Sequence, residues 1–335
     1  MKNTFIYLVL FVFNSTMAQV SDFKSINFTI ADNVATLNEG SSLENLPLLA
    51  YKLTHKLPTQ VEKFRAIYTW VCNNIEGDYY QHEKINRTRK RFQNDSLGYI
   101  KWSNGYKKTA FKTLRKHKKT MCTGYAYLIK ELCFLANIAC EIVDGYGRSI
   151  NANVEEFEMT NHSWNAVKLN NKWYLCDATW SSGYTDENNN FVNDYNEGYF
   201  LTDPTLFAKN HYPTLQKWLL NATVTPTDFV SSPLVYGDIF KHKVILISPE
   251  QMQIKTKENA EIYFSFKHLK NSTLDTVSLV LFSGSNTRPL KIYALKTENK
   301  IVNFKYRFEH KGYYDVHLKI NNDIVATYTV EVSKR

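Results

Sequence analysis

The hydrophobic residues of this chain change their spacing near residue 140, and that change limits the folds available to it. Upstream, apolar residues recur at helical intervals, which predicts one helix over residues 59–75 and another that begins at Cys122 and ends near residue 137. A basic stretch between them predicts a further helix with a solvated face. The inward-facing residues of the helix that begins at Cys122 are expected to be Tyr125, Leu128, Ile129, Leu132 and Leu135.

Downstream of that point, short apolar runs separated by polar turns predict strands. The segments "CEIVDGYG", "HSWNAVKL" and "KWYLCDAT" come first, with the last two joined across Asn170 and Asn171 as a tight hairpin. After residue 226 the helical patterns fade, and seven more strands are predicted: "VILIS", "AEIYFSFK", "VSLVLF", "LKIYAL", "IVNFKYRF", "YYDVHLKI" and "IVATYTVEV". Such spacing is typical of a sandwich of immunoglobulin-like size. The predicted fold class is therefore α+β, followed by an all-β immunoglobulin-like sandwich.

The 335 residues are too many for one typical core, and the chain divides into four predicted segments. Residues 1–18 combine a positive Lys2, an apolar run too short to span a bilayer and a small-residue cleavage site, which indicates a signal peptide. An entry segment follows over residues 19–57, then an α+β domain over residues 58–222 and the sandwich over residues 223–335. We find no later apolar run of spanning length. The protein is therefore expected to be secreted or periplasmic, with no transmembrane segment.

The positive charge of the chain is concentrated in one stretch. The formal net charge is +9, yet residues 84–119 alone contain thirteen Lys or Arg residues and one acid, Asp95. This stretch could attract an anionic polymer or lipid headgroups through its long-range field. A solvated helix face with a mobile loop explains it equally well. Nucleic acid is disfavoured as a partner because export is expected, and the oligomeric state stays open.

Five cysteines, at positions 72, 122, 133, 140 and 176, remain after export. An odd number in an oxidising compartment leaves one thiol unpaired, and an unpaired thiol is a candidate for reactivity. Four cysteines can pair in three ways around a free Cys122. Their burial as small apolar residues is an equal alternative, and Cys133 with Cys140 can be read as packing residues or as a structural pair.

Cys122 has the sequence context of an activated thiol. It is predicted to open a helix, where unpaired N–H groups and the helix dipole favour a thiolate, and it follows the basic residues 116–119. Gly124 would let backbone or substrate approach closely. A cysteine at a helix start is nevertheless often inert, so this pattern needs partners elsewhere in the chain.

The predicted hairpin supplies those partners. If Leu169 and Lys172 flank a two-residue turn, His162 and Asp177 become diagonal neighbours on one sheet face, about 7–8 Å apart at the backbone. Asp177 could then hold one imidazole nitrogen of His162 and leave the other to face a thiol. A register slip of one residue would separate them. Taken singly, each has an ordinary structural explanation, but cysteine, histidine and aspartate together predict a catalytic triad.

A zinc site is a weaker interpretation of the same residues. Cys122, His162 and Cys176 are candidate ligands, but the sequence has no close Cys-x-x-Cys or His-x-x-x-His pair. Cys176 and Asp177 are also adjacent on a predicted strand, so their side chains point to opposite faces. We therefore expect no metal and no cofactor. The tryptophans of this region are expected in the core rather than on a substrate platform: Trp164, Trp173 and Trp180.

Four segments in order resemble the transglutaminase-like superfamily, and within it the kyphoscoliosis-peptidase type. They are "FRAIYTWVCNNIEGDYY", "MCTGYAYLIKELCFLANIACEIVDGYG", "NHSWNAVKLNNKWYLCDATWSSGY" and "GYFLTDPTLFAKNHYP", and together they cover roughly residues 58–220. The resemblance implies that residues 58–222 form a papain-like, transglutaminase-like catalytic domain. It further implies that Cys122 is the nucleophile, His162 the general base and Asp177 the orienting carboxylate.

Two positions depart from the family pattern. Thr120 stands where a glycine commonly precedes the cysteine by two positions, and Ser163 stands where an alanine commonly follows the histidine. Neither change removes a catalytic group, although Thr120 is expected to alter the backbone that leads into the helix. Some members of this branch have lost the triad and act as scaffolds, whereas this chain retains all three residues.

These observations predict an exported, cysteine-dependent acyl-transfer enzyme that acts on protein or peptide amides. Water as acceptor would make it a peptidase or amidase, and an amine would make it a transglutaminase; the triad does not distinguish the two. The Cys122 backbone N–H is one expected oxyanion donor, with Trp70 and Trp102 as candidates for the side-chain donor. The alternative is a non-catalytic binding or scaffold protein that uses the sandwich and the basic surface of residues 84–119.

Overall fold

A computed structural model of the chain describes residues 20–334, apart from residues 151, 153, 155, 156, 158, 270–275, 284 and 285. The predicted signal peptide lies outside the described residues. Among the helices of the described part, none has the length and apolar content needed to cross a membrane.

Helices dominate the first half of the described chain. The helix predicted over residues 59–75 is confirmed, and it begins with a capping box between Thr59 and Glu62. In chain order the α-helices are α1 (Thr29–Leu37), α2 (Leu46–Thr54), α3 (Gln60–Asn74), α4 (Tyr79–Arg91), α5 (Ser96–His117), α6 (Cys122–Leu135), α7 (Ala178–Ser182), α8 (Pro204–Phe207), α9 (Pro226–Ser231) and α10 (Gly237–His242), with 3-10 turns at Val20–Phe23, Glu197–Tyr199 and Gln216–Leu219.

The strands form a four-stranded antiparallel sheet, here called the small sheet, and two two-stranded sheets in the first half, and a four-stranded and a six-stranded sheet in the second. They are β1 (Glu76–Gly77), β2 (Lys119–Thr120), β3 (Cys140–Gly147), β4 (His162–Leu169), β5 (Lys172–Cys176), β6 (Gly183–Thr185), β7 (Phe191–Asn193), β8 (His211–Pro213), β9 (Leu234–Val235), β10 (Val244–Ser248), β11 (Gln253–Lys257), β12 (Glu261–His268), β13 (Val277–Ser283), β14 (Asn286–Leu290), β15 (Tyr293–Glu298), β16 (Ile301–Arg307), β17 (Gly312–Ile320) and β18 (Asp323–Ser333).

The small sheet carries the candidate site, and its strand order is β5-β4-β3-β8. The β4–β5 hairpin has the predicted register, from Leu169 opposite Lys172 to Asn165 opposite Cys176. Asn170 and Asn171 supply the turn because both adopt positive φ angles, 48° and 66°, as a two-residue hairpin of this kind requires.

One strand was predicted too long. The segment "KWYLCDAT" leaves the sheet at Cys176, and Asp177 then caps the N-terminus of α7 by accepting a hydrogen bond from the Thr179 backbone N–H at 2.8 Å. The physical reason is that an aspartate in this position can satisfy an unpaired N–H at the start of a helix.

Helix α6 packs between α3 and the small sheet. Its predicted inward residues are buried, with one exception: Leu135, at the last position of the helix, is 39% exposed. The four buried residues are Tyr125, Leu128, Ile129 and Leu132. They join a core that includes Val167 and Leu169 from β4, so the helix that begins at Cys122 is held rigidly against the sheet.

The second half is a sandwich of two sheets, in the orders β10-β12-β16-β15 and β11-β18-β17-β13-β14, with β9 added beside β18. Phe264 and Phe304 stack inside it with ring centroids 5.2 Å apart, next to the buried Tyr328. The predicted α+β core followed by an all-β sandwich is therefore confirmed.

Several details of the second half differ from the prediction. Helices α9 and α10 were missed because each is only six residues long. The segment "LKIYAL" spans a break between β14 and β15 rather than forming one strand. Strand β11 was also missed. Its residues alternate between exposed and half-buried, so the strand has little apolar character to reveal it.

The two halves share one apolar core. Val143 and Trp164 of the small sheet belong to the same buried cluster as Phe264 and Tyr328 of the sandwich. Arg148, just beyond β3, is buried and donates to the Ser232 carbonyl at 2.6 Å. The small sheet is thus covered by helices on one face and by the second half of the chain on the other. The boundary at residues 222–223 stays a prediction.

Candidate active site

Cys122 is the first residue of α6, and two short strands position it. Strand β2, immediately before it, pairs in parallel with β1. The thiol is half-buried at the floor of a cleft. Burial alone would raise its pKa, but the hydrogen bond and charge of His162, together with the Ser163 backbone N–H, lower the pKa below the usual value of a thiol. The Cys122 thiol is therefore predisposed to ionise.

The lysines before Cys122 do not supply this effect. Lys118 ends α5 in a left-handed conformation, with φ of 53°, and its Nζ donates to the Gly40 carbonyl at 2.7 Å. Lys119 pairs with Glu76 at 2.7 Å. The expectation that residues 116–119 would favour the thiolate is wrong for these two, because the turn into α6 directs them elsewhere.

His162 lies between the thiol and Asp177. Its Nε2 is 2.7 Å from Asp177 Oδ2, and both side chains are buried. Burial alone would lower the pKa of His162, but the charge and hydrogen bond of Asp177, and then Cys122, raise it to about 10. The structure brings the three predicted residues together, and the lowered pKa of Cys122 and the raised pKa of His162 both favour a thiolate–imidazolium pair.

Asp177 serves two structural purposes at once. Its Oδ1 accepts the Thr179 N–H while its Oδ2 faces His162. Burial alone would raise the pKa of this carboxyl group, but His162 and then His211 hold it well below its usual range. The carboxylate is therefore ionised and fixed in direction, as an orienting group must be.

His211 is a residue of this site that the sequence reasoning missed. Its Nε2 lies 3.1 Å from the same Asp177 Oδ2, its Nδ1 is 2.6 Å from Asn210 Oδ1, and its ring stacks on Phe207 at 3.9 Å. Burial lowers the pKa of His211 to about 4, so it is neutral near pH 7. The only available signal was its place in the family-like segment "GYFLTDPTLFAKNHYP", which does not indicate what the histidine contacts.

Trp180 covers the other side of His162. The two rings stack with centroids 4.6 Å apart and an interplanar angle of 22°. A Cβ atom on Gly147 would come within 3.0 Å of both His162 and Trp180, so the glycine permits this close packing. Trp164 is buried as expected; Trp173 and Trp180 are half-buried and pack against the same core, and Trp180 also lines the cleft.

The cleft above Cys122 has a volume of about 980 Å³ and is open to the surface. One wall consists of α4 and α5, here called the basic hairpin, and the other includes Asp144, His162 and Trp180. On α5, Tyr99, Trp102 and Tyr106 stack in succession, with centroids 5.9 and 5.0 Å apart. The basic stretch is thus a pair of helices beside the site, rather than one helix with a mobile loop.

Thr120 explains why Gly124 is needed. Thr120 is fully buried, and a Cβ atom on Gly124 would lie only 1.9 Å from its Oγ1. That hydroxyl has no hydrogen-bond partner among the described residues. Gly124 was expected to admit backbone or substrate, but the group that approaches it is the Thr120 side chain.

Each of the five cysteines is a free thiol. Burial raises the pKa of Cys72, Cys133 and Cys176, and Cys133 interacts with Cys140. Cys176 faces the Asn165 carbonyl at 3.8 Å, away from the site. The zinc set of Cys122, His162 and Cys176 is therefore not assembled.

A different set of ligand atoms lies close together. Atoms of His162, Asp177 and His211 lie within 4.8 Å of one another, a spacing that could hold a metal ion. Both histidine Nε2 atoms are, however, hydrogen-bonded to Asp177 Oδ2. A cation would have to displace both of those hydrogen bonds, so the residues present fit a hydrogen-bonded triad better than a metal centre.

Part of the chain is similar to known proteins. Residues 48–178 match the family model described as the transglutaminase-like superfamily. Human kyphoscoliosis peptidase is 31% identical over 215 residues, which is 62% of this chain and 29% of that protein. Hillarin of Drosophila melanogaster is 24% identical over 233 residues, or 65% of this chain and 26% of that protein. The chain thus spans less than a third of the length of either relative.

Among solved structures, the Lin-41 filamin domain matches 31% of this chain and 98% of its own, with 13% identity and a TM-score of 0.21. The residues that match the family model contain α3, α6 and the strands β3, β4 and β5. The predicted resemblance is confirmed: the chain contains a transglutaminase-like domain, which the family model matches over residues 48–178.

Proposed function

We propose that this protein is an exported cysteine-dependent acyl-transfer enzyme that acts on protein or peptide amides. The observation that carries the proposal is that Cys122 and His162 line one cleft, while Asp177 is hydrogen-bonded to His162 from the buried side at 2.7 Å. The thiol pKa is lowered, the imidazole pKa is raised to about 10 and the carboxylate is held ionised. The transglutaminase-like domain over residues 48–178 supports a papain-like enzyme in general terms.

The geometry suggests how the reaction would proceed. The Cys122 thiolate attacks the carbonyl carbon of an amide, and His162 donates its proton to the departing nitrogen as the C–N bond breaks. The resulting thioester then passes to water or to an amine, with His162 accepting the proton of that nucleophile. Asp177 keeps the ring of His162 oriented throughout through the 2.7 Å hydrogen bond.

The shape of the cleft supports a macromolecular substrate. An open volume of about 980 Å³, with aromatic side chains along one wall, can accept an extended segment of polypeptide. The basic hairpin beside it could also bind an anionic surface. Export, proposed from residues 1–18, can be checked by sequencing the N-terminus of the mature protein, and a terminus that retains those residues would contradict it.

Mass spectrometry of acyl-enzyme formation tests the proposed function. The wild type is incubated with p-nitrophenyl acetate and with glutamine-containing peptides, in water or with a lysine-like amine. We expect an acyl adduct on Cys122 alone, since Cys72, Cys133 and Cys176 are buried with raised thiol pKa values. The Cys122→Ala variant should form none while remaining folded.

The scaffold alternative makes the opposite prediction. If a partner binds equally well to a variant in which Cys122, His162 and Asp177 are all replaced, and no acyl adduct appears in the wild type, the enzyme proposal is refuted.

A further inference from the structure

An acyl-transfer site needs hydrogen-bond donors for the oxygen that becomes negative when the thiolate attacks. We propose that the side-chain amide of Gln81 and the backbone N–H of Cys122 form this oxyanion hole. This inference rests on the proposed function. It assigns a catalytic role to Gln81, a residue that no sequence pattern singled out.

Gln81 lies in the first turn of α4, and that turn is fastened to the segment that leads into Cys122. Asp78 caps the helix by accepting the Gln81 backbone N–H at 2.9 Å, while the Asp78 N–H donates to the Thr120 carbonyl at 2.9 Å. Because Thr120 is two residues before Cys122, the start of α4 and the start of α6 form one unit.

The Gln81 side chain is fixed in direction. Its Oε1 accepts the Met121 backbone N–H at 3.1 Å, and the residue is only 5% exposed. Since the backbone group is a donor, the atom facing it must be the oxygen, and the –NH2 group must therefore point the other way. Gln81 and Cys122 line the same cleft.

The Nε2 of Gln81 has two hydrogens, and no acceptor for either of them occurs among the hydrogen bonds of the described residues. Tyr106 of the basic hairpin lines the same cleft; burial and then the charge of Asp78 raise the pKa of Tyr106, and Gln81 lowers that pKa in part. We assign one N–H of this amide to the substrate oxygen.

The Cys122 backbone N–H supplies the other donor. At the start of α6, the N–H groups of Gly124 and Tyr125 both bond to the Met121 carbonyl. For the Cys122 N–H, no acceptor occurs among the hydrogen bonds of the described residues. The first N–H groups of a helix are unpaired and carry the positive end of its dipole, so this donor suits a developing oxyanion.

The two tryptophans expected from the sequence fit this role less well. Trp70 is fully buried, and its Nε1 already donates to the Asn38 carbonyl at 2.7 Å. Trp102 lines the cleft, but its ring stacks on Tyr106 at 5.0 Å and 11° as part of the wall. Gln81 is the side chain held directly against the residue that precedes the nucleophile.

In the proposed step the Cys122 sulfur forms a bond to the carbonyl carbon, and the C=O π electrons move onto oxygen. That oxyanion accepts hydrogen bonds from Gln81 Nε2 and from the Cys122 N–H. When it collapses, the C=O bond re-forms, the C–N bond breaks and His162 donates its proton to the nitrogen. No redox partner or metal takes part.

Two substitutions of Gln81 distinguish a role as hydrogen-bond donor to the substrate from a role in positioning the Met121 backbone. Gln81→Glu keeps an oxygen for the Met121 N–H but replaces the donating –NH2 with a negative oxygen, whereas Gln81→Ala removes both. Gln93→Ala, an exposed glutamine in the turn of the same hairpin, is the control. For each protein we would measure the rate of acylation by p-nitrophenyl acetate and the rate of Cys122 alkylation by iodoacetamide, which needs a thiolate but no oxyanion hole.

We expect both Gln81 variants to acylate about 10²–10³-fold more slowly, the usual effect of losing one such donor. Both rates are compared at a pH above the thiol pKa of each variant, because the new charge in Gln81→Glu raises that pKa, and there the alkylation rate should be unchanged. The Gln93→Ala control should match the wild type in both assays. The assignment would be overturned if Gln81→Glu acylated as fast as the wild type, or if the variants lost acylation and alkylation to the same extent. Gln81 would then be a positioning residue. A wild type that alkylates but never acylates would refute the proposed function itself, and the oxyanion hole with it.

Discussion

Replacing Asp177 with Asn tests the electrostatic basis of the site. The charge of Asp177 and its hydrogen bond to His162 are the two largest effects that raise the pKa of His162, to about 10. Compared with an ordinary histidine near 6.5, that pKa corresponds to roughly 5 kcal/mol in favour of the imidazolium, at about 1.4 kcal/mol for each pKa unit. Asparagine keeps the size and the helix-capping ability but removes the charge, so the imidazolium and the thiolate should lose most of this support.

The assay is alkylation of Cys122 by iodoacetamide as a function of pH, read by mass spectrometry. In the wild type we expect rapid alkylation below pH 7. In Asp177→Asn the thiol should behave more like an ordinary cysteine with a pKa near 8.5, less than about 1% ionised at pH 6, which predicts a fall of about 100-fold at that pH. Turnover should fall by about 10⁴-fold, since the orientation of His162 is lost as well.

The matched control is Asp203→Asn. Asp203 is also a buried helix cap, at the start of α8, but it contacts no histidine among the described residues. It should keep the wild-type alkylation profile. If folded Asp177→Asn also kept that profile, the claim that this carboxylate holds the imidazolium would be refuted.

Two further predictions concern the supports of the site. His211 has a folded pKa of about 4, below the unfolded value near 6.5, so its contribution to stability is complete above pH 6.5 and is lost as the pH falls toward 4. In urea denaturation, His211→Phe should have a free energy of unfolding about 1–3 kcal/mol lower than the wild type at pH 7.5. Between pH 7.5 and 5 the free energy of unfolding should fall less in the variant than in the wild type. An equal fall in both proteins would contradict this. Gly124→Ala should lower the free energy of unfolding by about 1–3 kcal/mol, because the new methyl group overlaps Thr120. Thr120→Ala should rescue part of this loss in the double variant, since it removes Oγ1 at 1.9 Å and leaves only the Cβ contact at 2.8 Å. Equal losses with and without Thr120→Ala would show that the clash is not the cause.

The sequence by itself determined the local elements and the identity of the candidate triad. Two consecutive asparagines that tolerate positive φ fixed the β4–β5 register, and alternation along β4 then placed His162 at the correct end. Helical spacing located α6 and its first residue, Cys122. These features are encoded within a few residues of one another, so spacing alone reveals them.

Only the tertiary structure decided how those residues are supported. His211 reaches Asp177 across 34 residues because β8 pairs with β3, and Gln81 reaches Met121 across 40 residues because β1 pairs with β2. Trp180 turns toward His162 because Asp177 ends the strand and begins α7. No periodicity links such distant positions: their contacts arise from how the elements pack, and packing depends on the whole core rather than on any one segment.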